Sequence, residues 1–209
     1  MIIKKYLATL RFYLRLNLSR KFREQIQEII EDLSPKDPPA GQYHHTNRLL
    51  VMVIGPLFSG KSAYIQNSPL KDYFIVDKEI IRKALNRIPS LDPCLDRSHK
   101  ARSPRDWKRR AAIRYVSQIL FQEGFQLGIA TVSDFRNLQG LKWQKVSRQL
   151  ERQKVSELAR KFRYEIRIIF FFVPPLKWIQ EIELLRDEAD SLAIYDSETG
   201  ELKELQNPA

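Results

Sequence analysis

An α/β sheet, mainly parallel and flanked by helices on both faces, is expected from three features of this 209-residue chain. Near-continuous apolar runs stand at Leu49-Leu50-Val51-Met52-Val53-Ile54 and at Ile166 to Val173, the pattern of strands buried on both faces. Helix-length stretches separate the strand candidates, as parallel neighbours require. The first apolar run leads directly into Gly55-Pro56-Leu57-Phe58-Ser59-Gly60-Lys61-Ser62, a complete G-x-x-x-x-G-K-S turn between a strand and a helix.

Taken in order, the chain begins with Ile3, Leu7, Leu10, Leu14, Leu18, Phe22, Ile26, Ile29 and Leu33 at three- and four-residue steps. That spacing predicts one amphipathic helix over residues 1–33. Lys4, Lys5, Arg11, Arg15, Arg20, Lys21 and Arg23 all precede the first acid, Glu24. A basic amphipathic helix suits an anionic membrane surface, or it buries its stripe in protein, the commoner outcome. Pro35, Pro38 and Pro39 cannot continue it, so residues 34–47 read as a linker. His44 and His45 in that stretch read as a solvated pair, with only His99 elsewhere.

After the glycine-rich turn, a short helix from Lys61 leads to a second strand at Tyr73–Val76 and a helix through Glu79–Leu85. Residues 88–105 look irregular. Ser103-Pro104 opens a helix running to about Gly124, and Gly128–Ser133 makes a third strand. A helix from about Lys142 to Phe162 precedes the Ile166–Val173 strand, which Pro174-Pro175 ends. Ala193-Ile194-Tyr195 followed by Ser197-Glu198-Thr199-Gly200 suggests a terminal hairpin or an ordered tail.

The 36 Lys and Arg against 25 Asp and Glu leave a formal charge of +11, which favours polyanionic company: nucleic acid, anionic lipid or a phosphorylated small molecule. A single cysteine, Cys94, excludes an intramolecular disulfide and a cysteine-based zinc site, so a reducing cytoplasm is the expected compartment. No apolar stretch reaches the length of a membrane span, and charges interrupt the N-terminal segment where a signal sequence would need an apolar core.

The glycine-rich turn carries the chemistry. In such a loop the glycines let backbone N–H groups close around phosphates, the lysine reaches the β and γ oxygens, and the serine hydroxyl holds Mg²⁺. Gly55, Pro56, Leu57, Phe58, Ser59, Gly60, Lys61, Ser62 and Ala63 are therefore the expected nucleotide contacts, for ATP or GTP, with Ser62 as the metal ligand. The fold is a P-loop NTPase fold. Its ligand crevice forms at the carboxyl ends of the strands, where three polar groups stand out: Asp77 to Arg82, Ser133-Asp134, and Arg186 with Lys177 and Trp178. A carboxylate that takes a hydroxyl proton beside cations that neutralise phosphoryl oxygens is the inventory of phosphoryl transfer. Asp77, Glu79 and Asp134 also suit helix or turn capping and first-turn placement, and Arg82 and Arg186 suit ordinary ion pairs.

Strand, G-x-x-x-x-G-K-S, strand, acid-x-x-Arg, strand ending Ser-Asp, then strand-Val-Pro and an arginine-bearing helix resembles the polynucleotide kinase family. The zeta-toxin-like P-loop kinases share much of this arrangement. The resemblance spans about residues 48–188 and implies an ATP- or GTP- and Mg²⁺-dependent kinase acting on a hydroxyl, foremost the 5′-hydroxyl of RNA or DNA. A small-molecule kinase and a nucleotide-binding interaction module are the alternatives. It implies phosphate and metal contacts for Lys61 and Ser62, the activating acid at Glu79 with Asp77 as rival, an acceptor or outer-sphere metal contact for Asp134, and substrate-phosphate contacts for Arg82 and for the lid arginine Arg186. The chain departs from the family in carrying Phe58 where a glycine is frequent, Glu79 where Asp is usual, and one lid arginine beside Asp187 and Glu188.

The densest basic stretch lies over the stretch that in such kinases covers the acceptor: Arg97, Lys100, Arg102, Arg105, Lys108, Arg109, Arg110 and Arg114, with Trp107 and Tyr115 nearby. Such a stretch can track a nucleic-acid backbone while an aromatic stacks on a base, with Arg97, Arg102 and Arg105 as acceptor contacts, or it is a solvated helix face. The organisation expected is a helix at 1–33, a linker at 34–47, a P-loop kinase domain at 48–190 and a hairpin or tail at 191–209. Residues 1–33 would meet a membrane or a protein partner.

Overall fold

The computed structural model describes residues 20–35, 48–56, 59–89, 91, 104–136, 142–172, 185–186, 188–196 and 199–205. Expectations for residues 1–19, most of the linker, Leu57, Phe58, Arg97 and Arg102 lie outside them, as does the side chain of Arg105. The chain folds as two compact units, residues 36–76 with 121–209, and residues 1–35 with 77–120.

The larger unit is built on a six-stranded sheet. Its strands are β1 (Leu49–Gly55), β2 (Phe74–Ile75), β3 (Thr131–Arg136), β4 (Glu165–Phe172), β5 (Ser191–Asp196) and β6 (Leu202–Leu205), in the order β2-β3-β1-β4-β5-β6. All neighbours are parallel except β5 and β6, which form an antiparallel hairpin. β5 aligns with β4 from Arg167 opposite Ser191 to Phe172 opposite Asp196, so the terminal hairpin extends the same sheet. Helix α1 (Arg20–Leu33) precedes β1, α2 (Lys61–Asn67) and the 3₁₀ turn Pro69–Asp72 link β1 to β2, and α3 (Lys78–Leu85) follows β2. Two longer helices, α4 (Pro104–Gln126) and α5 (Lys142–Lys161), precede β3 and β4.

β1 lies third of six, between β3 and β4, and its residues from Leu50 to Gly55 are all buried. A strand covered on both faces can be apolar without alternation, which is why its sequence is continuous. Val51, Val53, Val132, Ile169 and Phe171 share one face with Ile65 of α2 and Leu70 of the 3₁₀ turn. The helix that leaves the phosphate loop is thereby fixed to the strand that enters it. Elsewhere in this unit the Tyr164 hydroxyl donates to the carbonyls of Gly124 (3.1 Å) and Ile129 (2.9 Å), and burial pushes the phenol up to about 12. It stays a neutral donor throughout the physiological range.

β3 begins three residues later than the sequence suggests. α4 runs on to Gln126, and Gly128, at φ 72°, makes the turn that ends it. Ser133 and Asp134 consequently lie inside the strand, opposite Met52 and Val53, and not at its end.

In the smaller unit Ile26, Ile29 and Ile30 of α1 are 2–3% exposed, and α1 packs on α3, which buries Ile81, Ala84 and Leu85. An Arg87–Asp32 ion pair at 2.7 Å closes the edge of that contact. Over residues 20–33 the Ile26, Ile29 and Ile30 part of the apolar stripe is therefore buried in protein. No helix among the described residues is long and apolar enough to cross a membrane.

Candidate phosphate-binding site

Steric demands at two glycines fix the loop. A Cβ on Gly55 would stand 2.6 Å from the Phe171 Cβ, with Ser59 Oγ at 3.0 Å and Lys61 Cδ at 3.3 Å. Only hydrogen fits between the end of β1 and β4. Gly60 turns the chain into α2 at φ 85°, a left-handed conformation that costs any other residue conformational energy, and a Cβ there would meet nothing within 4 Å. The first glycine serves close packing and the second serves backbone direction, in an open spot where a ligand can approach. Gly55→Ala is expected to destabilise the protein by about 1–3 kcal/mol through overpacking, read as a lower urea midpoint. It should weaken nucleotide binding as well, because Ser59 and Lys61 take up the displacement.

Lys61, at the first position of α2, is only 5% exposed. Its Nζ donates to the Pro56 carbonyl at 2.5 Å and to Ser59 Oγ at 3.4 Å, and Asp134 Oδ1 stands 3.7 Å away. Ser59 Oγ also donates to Pro56 O at 3.0 Å. A buried ammonium needs such partners, since desolvation without them is costly. Ser62 and Ala63 are exposed beside it. The register that sets Asp134 opposite Val53 is what brings a residue 73 positions away in sequence to the lysine. Ser133, pointing to the other face, donates to Val76 O at 2.8 Å and pins the end of β2 to β3.

The acids and the arginine of α3 already have local partners. Asp77 caps α3, its Oδ1 accepting from the Glu79 N–H at 2.6 Å, and the exposed Glu79 carboxylate pairs with Arg82 one turn on. The capping and ion-pair alternatives are thus realised for all three. Of the basic acceptor residues, Arg105 falls in α4.

Arg186 precedes β5. It stands four residues before Asp190, whose N–H donates to Ile166 O at 2.8 Å and whose Oδ2 accepts from Ile166 N at 2.7 Å, at the start of β4. The phosphate loop follows the opposite end of the strands, level with Phe171. At about 3.3 Å per residue that is roughly 16 Å further along β4. Arg186 belongs to the approach to β5.

The sequence reading missed Arg152 and its pairing with Glu188. Arg152 is fully buried in α5, its Nε 3.0 Å from Glu188 Oε2 and its Nη2 3.4 Å from Oε1. Its signal was positional: Arg152, Ser156 and Ala159 recur at helical spacing, and all three are buried. An aromatic cluster was missed too, with Tyr64 of α2 edge-on to Phe171 at 5.4 Å and Tyr195 of β5 4.5 Å from Phe171. Burial raises the Tyr64 phenol above its ordinary range, Arg167 opposing the shift.

Among the described residues no group of three or more His, Cys, Asp and Glu could hold a metal by itself. The donors present, the Ser62 hydroxyl and the Asp134 carboxylate, are hard oxygens that suit Mg²⁺, an ion that keeps waters and leans on substrate phosphates. The set fits a nucleotide-borne Mg²⁺ and not a protein-only metal centre.

No protein-family model matches the sequence, and no curated protein matches it. By structure, the chain is similar to one solved for the PezAT chromosomal toxin–antitoxin system of the human pathogen Streptococcus pneumoniae, with a TM-score of 0.56 and 12% identity over 87% of this chain and 78% of that one. A likeness at that identity shows the fold alone. With its mostly parallel six-stranded sheet, flanking helices and G-x-x-x-x-G-K-S turn, the chain has a P-loop α/β fold.

Proposed function

We propose that this protein is a P-loop phosphotransferase that moves the γ-phosphoryl of ATP or GTP to a hydroxyl, the acceptor being the 5′-hydroxyl of RNA or DNA. The observation that carries the donor half is the Lys61 ammonium, buried at the mouth of the glycine turn and within 3.7 Å of the Asp134 carboxylate. In the reaction a bond forms from the acceptor oxygen to Pγ as the bond from Pγ to the bridging oxygen breaks, and the nucleoside diphosphate leaves. Lys61 exchanges the Pro56 carbonyl for phosphate oxygens and stabilises the charge that gathers there. Ser62 would hold Mg²⁺, with Asp134 as a candidate outer-sphere contact, and the ion would supply further neutralisation of phosphate charge. The acceptor's proton goes to a carboxylate, for which Glu79 and Asp77 are the proposed residues.

The acceptor half rests on charge. The formal +11 and the basic stretch 97–114, of which Lys108, Arg109, Arg110 and Arg114 lie on α4, suit a polyanionic strand. The resemblance of the motif order to the zeta-toxin-like kinases supports a second reading, a kinase of a small-molecule hydroxyl. The deciding experiment offers γ-labelled ATP and Mg²⁺ with a panel of 5′-hydroxyl RNA and DNA oligonucleotides, and Lys61→Ala as control. Label on an oligonucleotide that is lost with the variant supports the polynucleotide reading. ATP binding without oligonucleotide label favours a small acceptor or a non-catalytic module. In the same assay Glu79→Gln is expected to abolish transfer and leave ATP binding intact; unchanged turnover would remove Glu79 from the role of base.

A further inference from the structure

Where β1 and β4 begin, at the opposite end of the strands from the phosphate loop, the surface gathers bases around one exposed leucine. Arg48 enters β1, and its Nη1 donates to the Phe162 carbonyl at 3.0 Å. Its Nε lies 3.9 Å from where a Cβ on Gly128 would stand. Arg48 thus joins the end of α4 to the end of α5. On one side of it is Leu127, 49% exposed, and on the other are the exposed Arg160, Lys161 and Arg163. Glu165 is the one acid among residues 160–167. With seven residues in β1, about 20 Å of strand separates this end from the loop.

One backbone angle marks the cluster out. Among the described residues Arg163 is the one non-glycine residue at positive φ, 61°, a left-handed conformation that glycine adopts freely and arginine does not. Its N–H donates to Arg160 O at 3.0 Å and the Tyr164 N–H to Ala159 O at 3.1 Å, closing a helix end whose left-handed residue is most often glycine. Stability alone would put glycine there. The chain carries an exposed guanidinium instead, beside further bases, so the position serves the surface and not the fold.

We propose that this end of the sheet docks on an anionic lipid surface, with Leu127 entering the boundary between headgroups and acyl chains while Arg48, Arg160, Lys161 and Arg163 meet lipid phosphates. An aliphatic side chain suits acyl chains, whereas a nucleic-acid strand calls for a planar ring on which bases stack. Arg160 keeps Nη2 on the Glu188 carbonyl at 3.3 Å and offers the rest of its guanidinium. Docking through this end leaves the phosphate loop at the other end of β1, away from the lipid.

Co-sedimentation of the full chain with phosphatidylcholine vesicles, with and without phosphatidylserine, tests this. The wild type is expected to bind the vesicles that carry phosphatidylserine and to release as salt rises and screens the attraction. Arg163→Gly should bind them about fivefold more weakly, the weight of one base near such a surface. Its urea midpoint should be unchanged or higher, because glycine accepts the left-handed angle, so the loss does not come from unfolding. Arg163→Asn, which also tolerates that conformation, should repeat the result. Leu127→Ser should weaken binding several-fold at low and high salt alike, since an apolar contact is not screened. Equal binding to vesicles without phosphatidylserine overturns the proposal, and so do variants that bind as the wild type does, because another part of the chain then holds the lipid. Variants that lose affinity for a single-stranded oligonucleotide and keep their vesicle binding overturn it too, and give the surface to nucleic acid.

Discussion

Arg152→Ala is expected to lower the free energy of unfolding by about 3–5 kcal/mol, the cost of leaving one member of a buried ion pair without its partner. The Arg152 side chain is 1% exposed and that of Glu188 is 9%, so water cannot replace the lost guanidinium without opening the structure. The Glu188 carboxylate faces Arg152 through two contacts of 3.0 and 3.4 Å, and its main-chain carbonyl accepts from Arg160 Nη2 at 3.3 Å. Its N–H donates to Leu185 O, and Asp190 two residues on binds Ile166. The pair thus ties α5 to the segment that enters β5, and its loss should loosen the β5–β6 edge of the sheet first. Urea unfolding of the variant checks the magnitude, and hydrogen exchange along 191–205 checks the location. Replacing both partners, Arg152→Met with Glu188→Leu, is expected to recover most of the loss, because buried pairs exchanged for apolar groups of similar volume are often near neutral. A loss below 1 kcal/mol in the single variant would show that solvent reaches Glu188.

The second large effect falls on chemistry and not on stability. Lys61→Ala is expected to reduce phosphoryl transfer by roughly 10²–10³-fold or more, as removal of a single preorganised donor to developing charge commonly does. The protein itself should remain folded, since the ammonium's partners include a main-chain carbonyl, the Ser59 hydroxyl and the partly exposed Asp134. Lys61→Met, which keeps the buried length of the side chain, separates the charge from the packing. Both variants should lose transfer, and Lys61→Met should lose less stability. If transfer survives in Lys61→Met, the phosphates are neutralised elsewhere and the donor half of the proposed mechanism fails.

How legible the molecule was depends on the range of the interactions. Motif, strand and helix were local matters. The apolar run 49–54, the glycine turn and the helix from Lys61 could be read directly, because a strand buried on both faces, a left-handed turn at Gly60 and a tight approach at Gly55 each demand particular residue types at fixed spacing. The β3 boundary was misplaced because helix propensity does not say where Gly128 will break α4. The pairing of Glu79 with Arg82 and the cap at Asp77 are also local, and both were foreseen as alternatives to catalysis.

What the chain's own order of residues determined is the α/β architecture, the G-x-x-x-x-G-K-S turn and the formal charge of +11, since each follows from period, spacing or composition. Only the tertiary structure decided that Asp134 meets Lys61, that Arg152 is buried against Glu188, and that the face of α1 packs on α3. Strand order and register are set by the burial of the whole sheet at once, so no window of sequence short enough to read by pattern contains them.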